Sequence, residues 1–253
     1  LIASLDRFGP LRESVRERLS GCSLSTETFE SGALIVGRGE RSHLRLLARG
    51  LAVKQTVLGD GARQIFGLAT PGDLIDLGGL FAGLDFEVRA LGACEVRKTT
   101  PGELKAMVQD HPGFLAAVCR AVLTEARAQR NWMVSLGRRS ALSRTANLLC
   151  EVYWRQKTLA LAEDGHCALP AVQSDLADAL GLSVVHIHRV LRVLRDDGLA
   201  RLRNGVLQIQ DWDRLAALGD FEPAVFAPQS EIADHGPRTP THAPGDERRG
   251  SID

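Results

Sequence analysis

The side chains best placed to do chemistry are arginines. Between positions 184 and 203 stand Arg189, Arg192, Arg195, Arg201 and Arg203, against only Asp196 and Asp197, a local charge of +3. Guanidinium groups at that density suit phosphate contact, and each can donate two hydrogen bonds to guanine O6 and N7. The first three lie in a stretch with helical spacing, where Ile187, Val190, Leu191 and Leu194 make one apolar face. The other face then carries Val184, Val185, His186, His188, Arg189 and Arg192. The two imidazoles suit donation to base N7 or phosphate, or equally a packing role beside the backbone. Catalytic chemistry has no such footing. No nucleophile–base motif, metal-ligand spacing or P-loop occurs. The carboxylate pairs Asp73/Asp76 and Glu163/Asp164 fit a turn or a solvated loop. The residues therefore predict no enzyme, no metal and no cofactor.

The arginine helix needs a partner to present it, and the preceding residues supply one. Leu176, Ala177 and Leu180 give a short apolar face, Gly181 permits positive φ at a turn, Leu182 plugs the gap, and Ser183 can cap the second helix. Val172, by contrast, offers no cap to the first. Residues 199–203 and 206–210 flank Asn204-Gly205, a strong hairpin signal. Two helices at a tight turn followed by such a wing form a DNA-reading arrangement. The DNA-contact candidates are Ser183, Val184, Val185, His186, His188, Arg189, Arg192, Arg201 and Arg203. Arg138, Arg139 and Arg144 extend the patch towards the preceding helix. Asp211 can cap a last short helix ending at Gly219.

The rest of the chain changes character twice. Residues 21–102 hold 14 of the 25 glycines, between short apolar runs such as 43–49, 51–57, 63–69 and 86–92. Regular glycine punctuation predicts an antiparallel sandwich or barrel. From Pro112 to Leu136 there is one glycine, at 113, and then none until Gly137, where the helix is expected to end. Such a helix is about 35–40 Å long. One apolar stripe is Leu115, Val118, Val122, Ala126, Gln129, Met133 and Leu136, and Phe114, Ala117, Ala121 and Val134 give a partial second face. The first stripe is assigned to a homodimer, because one small domain hardly covers a helix this long. Residues 141–157 are apolar at helical spacing, and 163–170 read as a loop. From 222 onward the chain holds five of its ten prolines and little apolar periodicity, the mark of a disordered tail.

Composition sets outer limits. The 253 residues carry 31 basic and 31 acidic side chains, with 44% hydrophobic, values of an ordinary globular protein. No run approaches the roughly 20 apolar residues of a membrane span. Five cysteines without a CxxC pair argue against a zinc site or disulfide framework. They suit a reducing cytoplasm.

The order of β-rich unit, long helix and winged helix-turn-helix resembles the catabolite activator/FNR (CRP/FNR) family of bacterial transcription regulators over roughly residues 3–221. The specific part is LADALGLSVVHIHRVLRVLRDDGL (176–199). PGDLIDLGGLF (71–81) is similar to an element of that family's cyclic-nucleotide-binding β-roll, and NWMVSLGRRSALSRTANLLCEV (131–152) to the helix and hinge of an alphaproteobacterial subgroup. The resemblance implies an α+β chain: a β-roll (a double-stranded jelly roll) over 1–110, a dimerisation helix and hinge over 111–139, a winged helix-turn-helix over 140–221, and a tail over 222–253. It implies a homodimer on double-stranded DNA with a two-fold operator, in contact with RNA polymerase.

Matched residue by residue, the chain departs from the family at both ends. The family often has Glu at the position of Val185, and Ser, Gly or Asn at that of His188, while Arg189 is retained; the expected half-site therefore differs. The family's cyclic-AMP site uses a Glu and an Arg-Ser pair. Here Leu77 stands at the first, and Leu84 and Asp85 at or near the second. Arg41-Ser42 lies in the wrong turn. An apolar residue and an acid do not hold a cyclic phosphate, so the sensor is expected not to bind cyclic AMP and its effector is undefined. Iron–sulfur members cluster N-terminal cysteines, whereas Cys22 stands alone and Cys119 lies on the long helix. A haem would have only His43 and His111 in this half. The alternatives are a small-ligand or cyclic-nucleotide sensor module, or a thiol-redox regulator working through Cys94 and Cys150. Both cysteines sit in apolar sequence that more often holds inert thiols.

Overall fold

A computed structural model of the chain describes residues 1–40, 43–77 and 82–226. Arg41-Ser42, the end of the PGDLIDLGGLF element at 78–81, and the tail from 227 lie outside the described residues. After two short helices, α1 (Ile2–Asp6) and α2 (Glu13–Ser20), come seven strands: β1 (Leu24–Phe29), β2 (Leu34–Val36), β3 (Arg45–Arg49), β4 (Ala52–Val57), β5 (Arg63–Ala69), β6 (Glu87–Ala90) and β7 (Cys94–Thr99). They form two antiparallel sheets, ordered β1-β7-β3 and β2-β6-β4-β5. Val36, Leu47, Ala52, Ile75, Val88 and Val96 are buried in one cluster with residues from both sheets. The chain changes sheet between β3 and β4 at Gly50, whose φ is +82°. A Cβ there would meet the Ala93 carbonyl oxygen at 2.2 Å, so only glycine fits.

Helical structure begins earlier than the sequence suggests. Thr100 and Glu103 build a capping box that starts α3 (Pro101–Asp110). The long helix α4 (Pro112–Arg138) starts at the expected proline. It does not stop at Gly137. That glycine is not among the positive-φ glycines, and the helix continues one residue beyond it. The break comes at Arg139, which is extended (φ −78°, ψ 145°), and Ser140, whose Oγ accepts from Ser143 N at 3.2 Å to open α5 (Ala141–Lys157).

The inner face of α4 is Phe114, Ala117, Val118 and Ala121, all buried with Leu5, Val15 and Leu104 of the chain's own N-terminal part. Val118 is 0% exposed, which takes it off the stripe assigned to a partner. Leu136 is also off that stripe. It lines a small crevice beside Arg144, Leu148 and Leu180. Left uncovered are Cys119, Val122, Leu123, Arg130, Met133 and Val134, with Met133 71% exposed.

The C-terminal part comprises α5, β8 (His166–Ala168), α6 (Gln173–Leu180), α7 (Val184–Asp196), β9 (Ala200–Arg203), β10 (Val206–Ile209) and α8 (Trp212–Gly219). The sequence reading made 163–170 a loop, but β8 pairs with β10 and completes a three-stranded wing, β8-β10-β9. Its core is continuous with the β-unit. Leu51, Val53, Ile65 and Leu68 are buried in one cluster with Leu149, Ile187, Leu194 and Leu207. The first residues of the expected disordered tail are ordered: Pro223–Val225 form a 3-10 turn, and Phe226 stacks on Phe221 with ring centroids 5.6 Å apart. Among the described residues no helix is long and apolar enough to cross a membrane.

Candidate nucleic-acid interface

The helix-turn-helix is assembled by the residues that signalled it. Gly181 ends α6 in the left-handed region at φ +58°. Ser183 Oγ accepts from His186 N at 3.2 Å, which opens α7. Ile187, Val190 and Leu194 are buried and Leu191 partly so. Asn204 and Gly205 both have positive φ, 53° and 75°, between the paired strands β9 and β10, as a two-residue hairpin turn demands. Val172 gives α6 no side-chain cap. Asp175 compensates from the other side, its Oδ2 accepting from Val172 N at 3.0 Å.

On this frame Ser183, Val184, Val185, His186, His188, Arg189 and Arg192 are all exposed on α7, and Arg201 and Arg203 on β9. Val185 is 63% exposed. Arg195 pairs with Asp196 at 2.7 Å. Among the described residues, Arg189, Arg192, Arg201 and Arg203 have no such partner. Residues 143–218 match the Crp-like helix-turn-helix domain. The nitrogen fixation regulation protein FixK of Bradyrhizobium diazoefficiens is 32% identical over 163 residues, 64% of this chain and 68% of that protein. The chain belongs to the CRP/FNR family of transcription regulators.

The transcriptional activatory protein AadR of Rhodopseudomonas palustris is 30% identical, covering 68% of this chain and 71% of that one. Among solved structures, FixK2 from Bradyrhizobium japonicum superposes with a TM-score of 0.69 at 24% identity, over 78% of this chain and 97% of that one. That likeness concerns the fold: the CRP/FNR arrangement of β-roll, long helix and winged helix-turn-helix. The chain is a DNA-binding transcription regulator.

Not all the arginines near the hinge join the DNA face. Arg139 is largely buried. Its guanidinium donates to Asn131 Oδ1 (3.0 Å), Ser135 Oγ (2.7 Å) and Asp220 (3.0 Å), tying α4 to the end of α8. Arg144 donates to the Leu136 carbonyl at 3.3 Å. Both therefore serve the hinge, and only Arg138 of that trio is exposed.

The residues matched above to the family's cyclic-AMP site do not come together as a phosphate site. Leu77 and Leu84 are buried in separate clusters, and Asp85 is exposed. Lys54 on β4 is buried and forms an ion pair with Glu125 of α4. The two cysteines offered for redox work are buried as well. Burial pushes the Cys94 thiol up and that of Cys150 up to about 12, so the reactive thiolate is scarce at both.

One cluster was invisible in the sequence. Asp73, read there as a turn residue, does accept from Thr70 N at 2.7 Å. It also holds Arg7 of the N-terminal segment at 2.8 Å and forms an ion pair with Arg155 of α5. Arg155 continues to the Leu68 carbonyl (2.8 Å) and to Glu151, which accepts from Trp132 Nε1 at 2.8 Å. Four separate parts of the chain thus meet in one partly buried network, in which Glu151 and Trp132 are buried and Arg7, Asp73 and Arg155 half-buried. Burial raises the Asp73 pKa, but Arg155, Arg7 and the Thr70 amide more than offset this and hold it below the usual carboxylate range. Burial of Glu151 outweighs its Arg155 contact and leaves it raised. A second junction joins Arg63 of β5 to Asp175 (2.6 Å) and Asp178 (2.7 Å) of α6.

Proposed function

We propose that this regulator acts as a homodimer on a two-fold DNA site, with α7 of each copy in successive major grooves about 34 Å apart. The observation that carries this reading is the set of four exposed arginines on α7 and β9 that have no carboxylate partner among the described residues. Arg189 donates to guanine O6 and N7, and Arg192, Arg201 and Arg203 hold phosphates. Val184 and Val185, on the first turn of α7, meet thymine methyl groups. A seam of α4 in which Cys119, Val122 and Met133 are exposed and Leu115, Ala126 and Gln129 half-buried seats the second copy. It runs through Leu115, Cys119, Val122, Ala126, Gln129 and Met133, alternating four- and three-residue steps as a coiled-coil seam requires.

The working units are 1–110, 111–139 and 140–221, the last two joined at the Arg139-Ser140 break. Contact with RNA polymerase carries the output, a reading supported by relatives named as transcriptional activators. The sensor does not take cyclic AMP. The Lys54–Glu125 ion pair uses the cation that faces α4, and no arginine stands at positions 77, 84 or 85. Selection of bound sites from random DNA by the purified protein tests the whole reading. A palindrome with a conserved guanine in each half-site is expected, bound equally with and without cyclic AMP. An asymmetric or featureless pool would overturn it.

A further inference from the structure

The ion network borders a cavity of about 440 Å³, within the range of small-molecule sites. Its walls come from several units at once: β5, α4, α5, the segment after α1, and Phe226 beyond α8. Phe66, Trp132, Trp154 and Phe226 supply aromatic surface. The charged groups on the wall are already spent on one another. Arg7 and Arg155 hold Asp73, Arg155 also holds Glu151, and Lys54 holds Glu125. Three cations meet three anions. A seventh charged group, Asp6, is paired with Arg16, which lies off the wall. An ion entering here would lose its hydration and find no free counter-charge, a cost that selects against charged ligands. An uncharged ring system loses little hydration and gains stacking partners.

We propose that this cavity binds an uncharged, flat aromatic small molecule, and that its occupancy is felt at the DNA. Trp132 lies on α4 and Trp154 on α5, on either side of the Arg139-Ser140 break. A molecule between them sets the position of α5, and α5 shares its core with α7.

Two of the three tryptophans of the chain line the cavity, which gives a direct readout. N-phenyl-1-naphthylamine, a neutral probe, is titrated into the full-length protein, and energy transfer from tryptophan is followed. Saturable transfer at one probe per protomer is expected. Trp132→Phe should reduce its amplitude. Ala128→Phe, which fills the cavity from α4, should weaken binding at least tenfold. Ala128→Leu should have an intermediate effect, and it keeps the test open if the larger residue prevents folding. Saturating probe should shift half-saturation of the selected DNA at least threefold. Absence of saturable transfer, equal binding by both Ala128 variants, or displacement by cyclic AMP would overturn the site. Probe binding with superimposable DNA titrations would overturn its effector role. Failure to bind DNA both with and without the probe would instead count against the reading of α7.

Discussion

Arg189 stands one turn into α7, exposed and without a carboxylate partner among the described residues. Its guanidinium therefore gives up no existing ion pair when it meets a base. Arg189→Ala should cost roughly 1–3 kcal/mol of specific binding and relax the guanine preference, measured by fluorescence anisotropy on selected and single-base-changed sites. Unchanged affinity on both would remove Arg189 from the reading surface. Asp73 is the opposite kind of charged residue, held between two guanidiniums. Asp73→Asn leaves Arg155 and Arg7 short of a counter-charge and should cost about 3 kcal/mol. The pH dependence follows from the sign of its shift. The folded-state pKa of Asp73 is lowered, so its contribution is complete above the ordinary carboxylate range and is lost as pH falls through the lowered value. Glu151, with a raised pKa, works the other way: its contribution is greatest in acid and declines as pH rises through its folded pKa. The stability gap between wild type and Asp73→Asn in urea should therefore narrow progressively below about pH 4. A gap constant from pH 7 to 3 would mean that Asp73 has the same pKa folded and unfolded, so that neither guanidinium holds its charge in the fold. This network was illegible in the sequence because its members lie up to 148 positions apart (Arg7 to Arg155) and each alone looks like a turn or surface residue.

The helices raise a question of facing. α4 must cover its own N-terminal domain and still present a seam. A stripe through Leu115, Val118 and Val122 and one through Leu115, Cys119 and Val122 have equally good helical spacing. Apolarity favours valine over cysteine, so sequence reasoning chose Val118. Only the packing of Phe114, Ala117, Val118 and Ala121 on the N-terminal core decides against it. The helix-turn-helix was readable because its signals are local: Gly181 at positive φ, the Ser183 cap, and Asn204-Gly205. β8 was not, because a three-residue strand shows its identity only through its pairing with β10. The two faces of α4 give paired predictions. Met133→Glu places a charge on the uncovered face, and should weaken dimerisation at least tenfold while leaving the helical circular dichroism intact. Val118→Glu buries the same charge in the chain's own core and should unfold the protein instead. Sedimentation velocity with thermal melts separates the two. A Met133→Glu protein that stays fully dimeric at micromolar concentration would move the interface elsewhere.

Across the molecule, the zero net charge hides a division. Residues 120–221 hold 14 basic and 11 acidic side chains, residues 1–119 hold 14 of each, and 227–253 hold three basic and five acidic. The β-unit is thus neutral, the DNA-reading part positive and the tail negative. The neutral part is also clamped to the positive one, through Arg63 of β5 to Asp175 and Asp178 of α6 and through Asp73 to Arg155 of α5, so α7 is presented from a fixed base. The acidic residues beyond Phe226 are expected to compete weakly with DNA phosphates for the arginines of α7 and β9. Removing 227–253 should therefore raise non-specific affinity about two- to fivefold near 50 mM salt. The difference should vanish towards 1 M, where the screening length shrinks to about 3 Å. The cut must fall after Phe226. A cut at 222 would remove a ring stacked on Phe221 and part of the cavity wall, and would mix a packing change with the charge effect. Specific binding should gain less than non-specific binding, because base contacts by Arg189 do not depend on the tail. If the truncated and full-length proteins give parallel lines of log affinity against log salt with no offset, the tail does not screen the reading surface. The positive half of the chain would then act at its full charge in both.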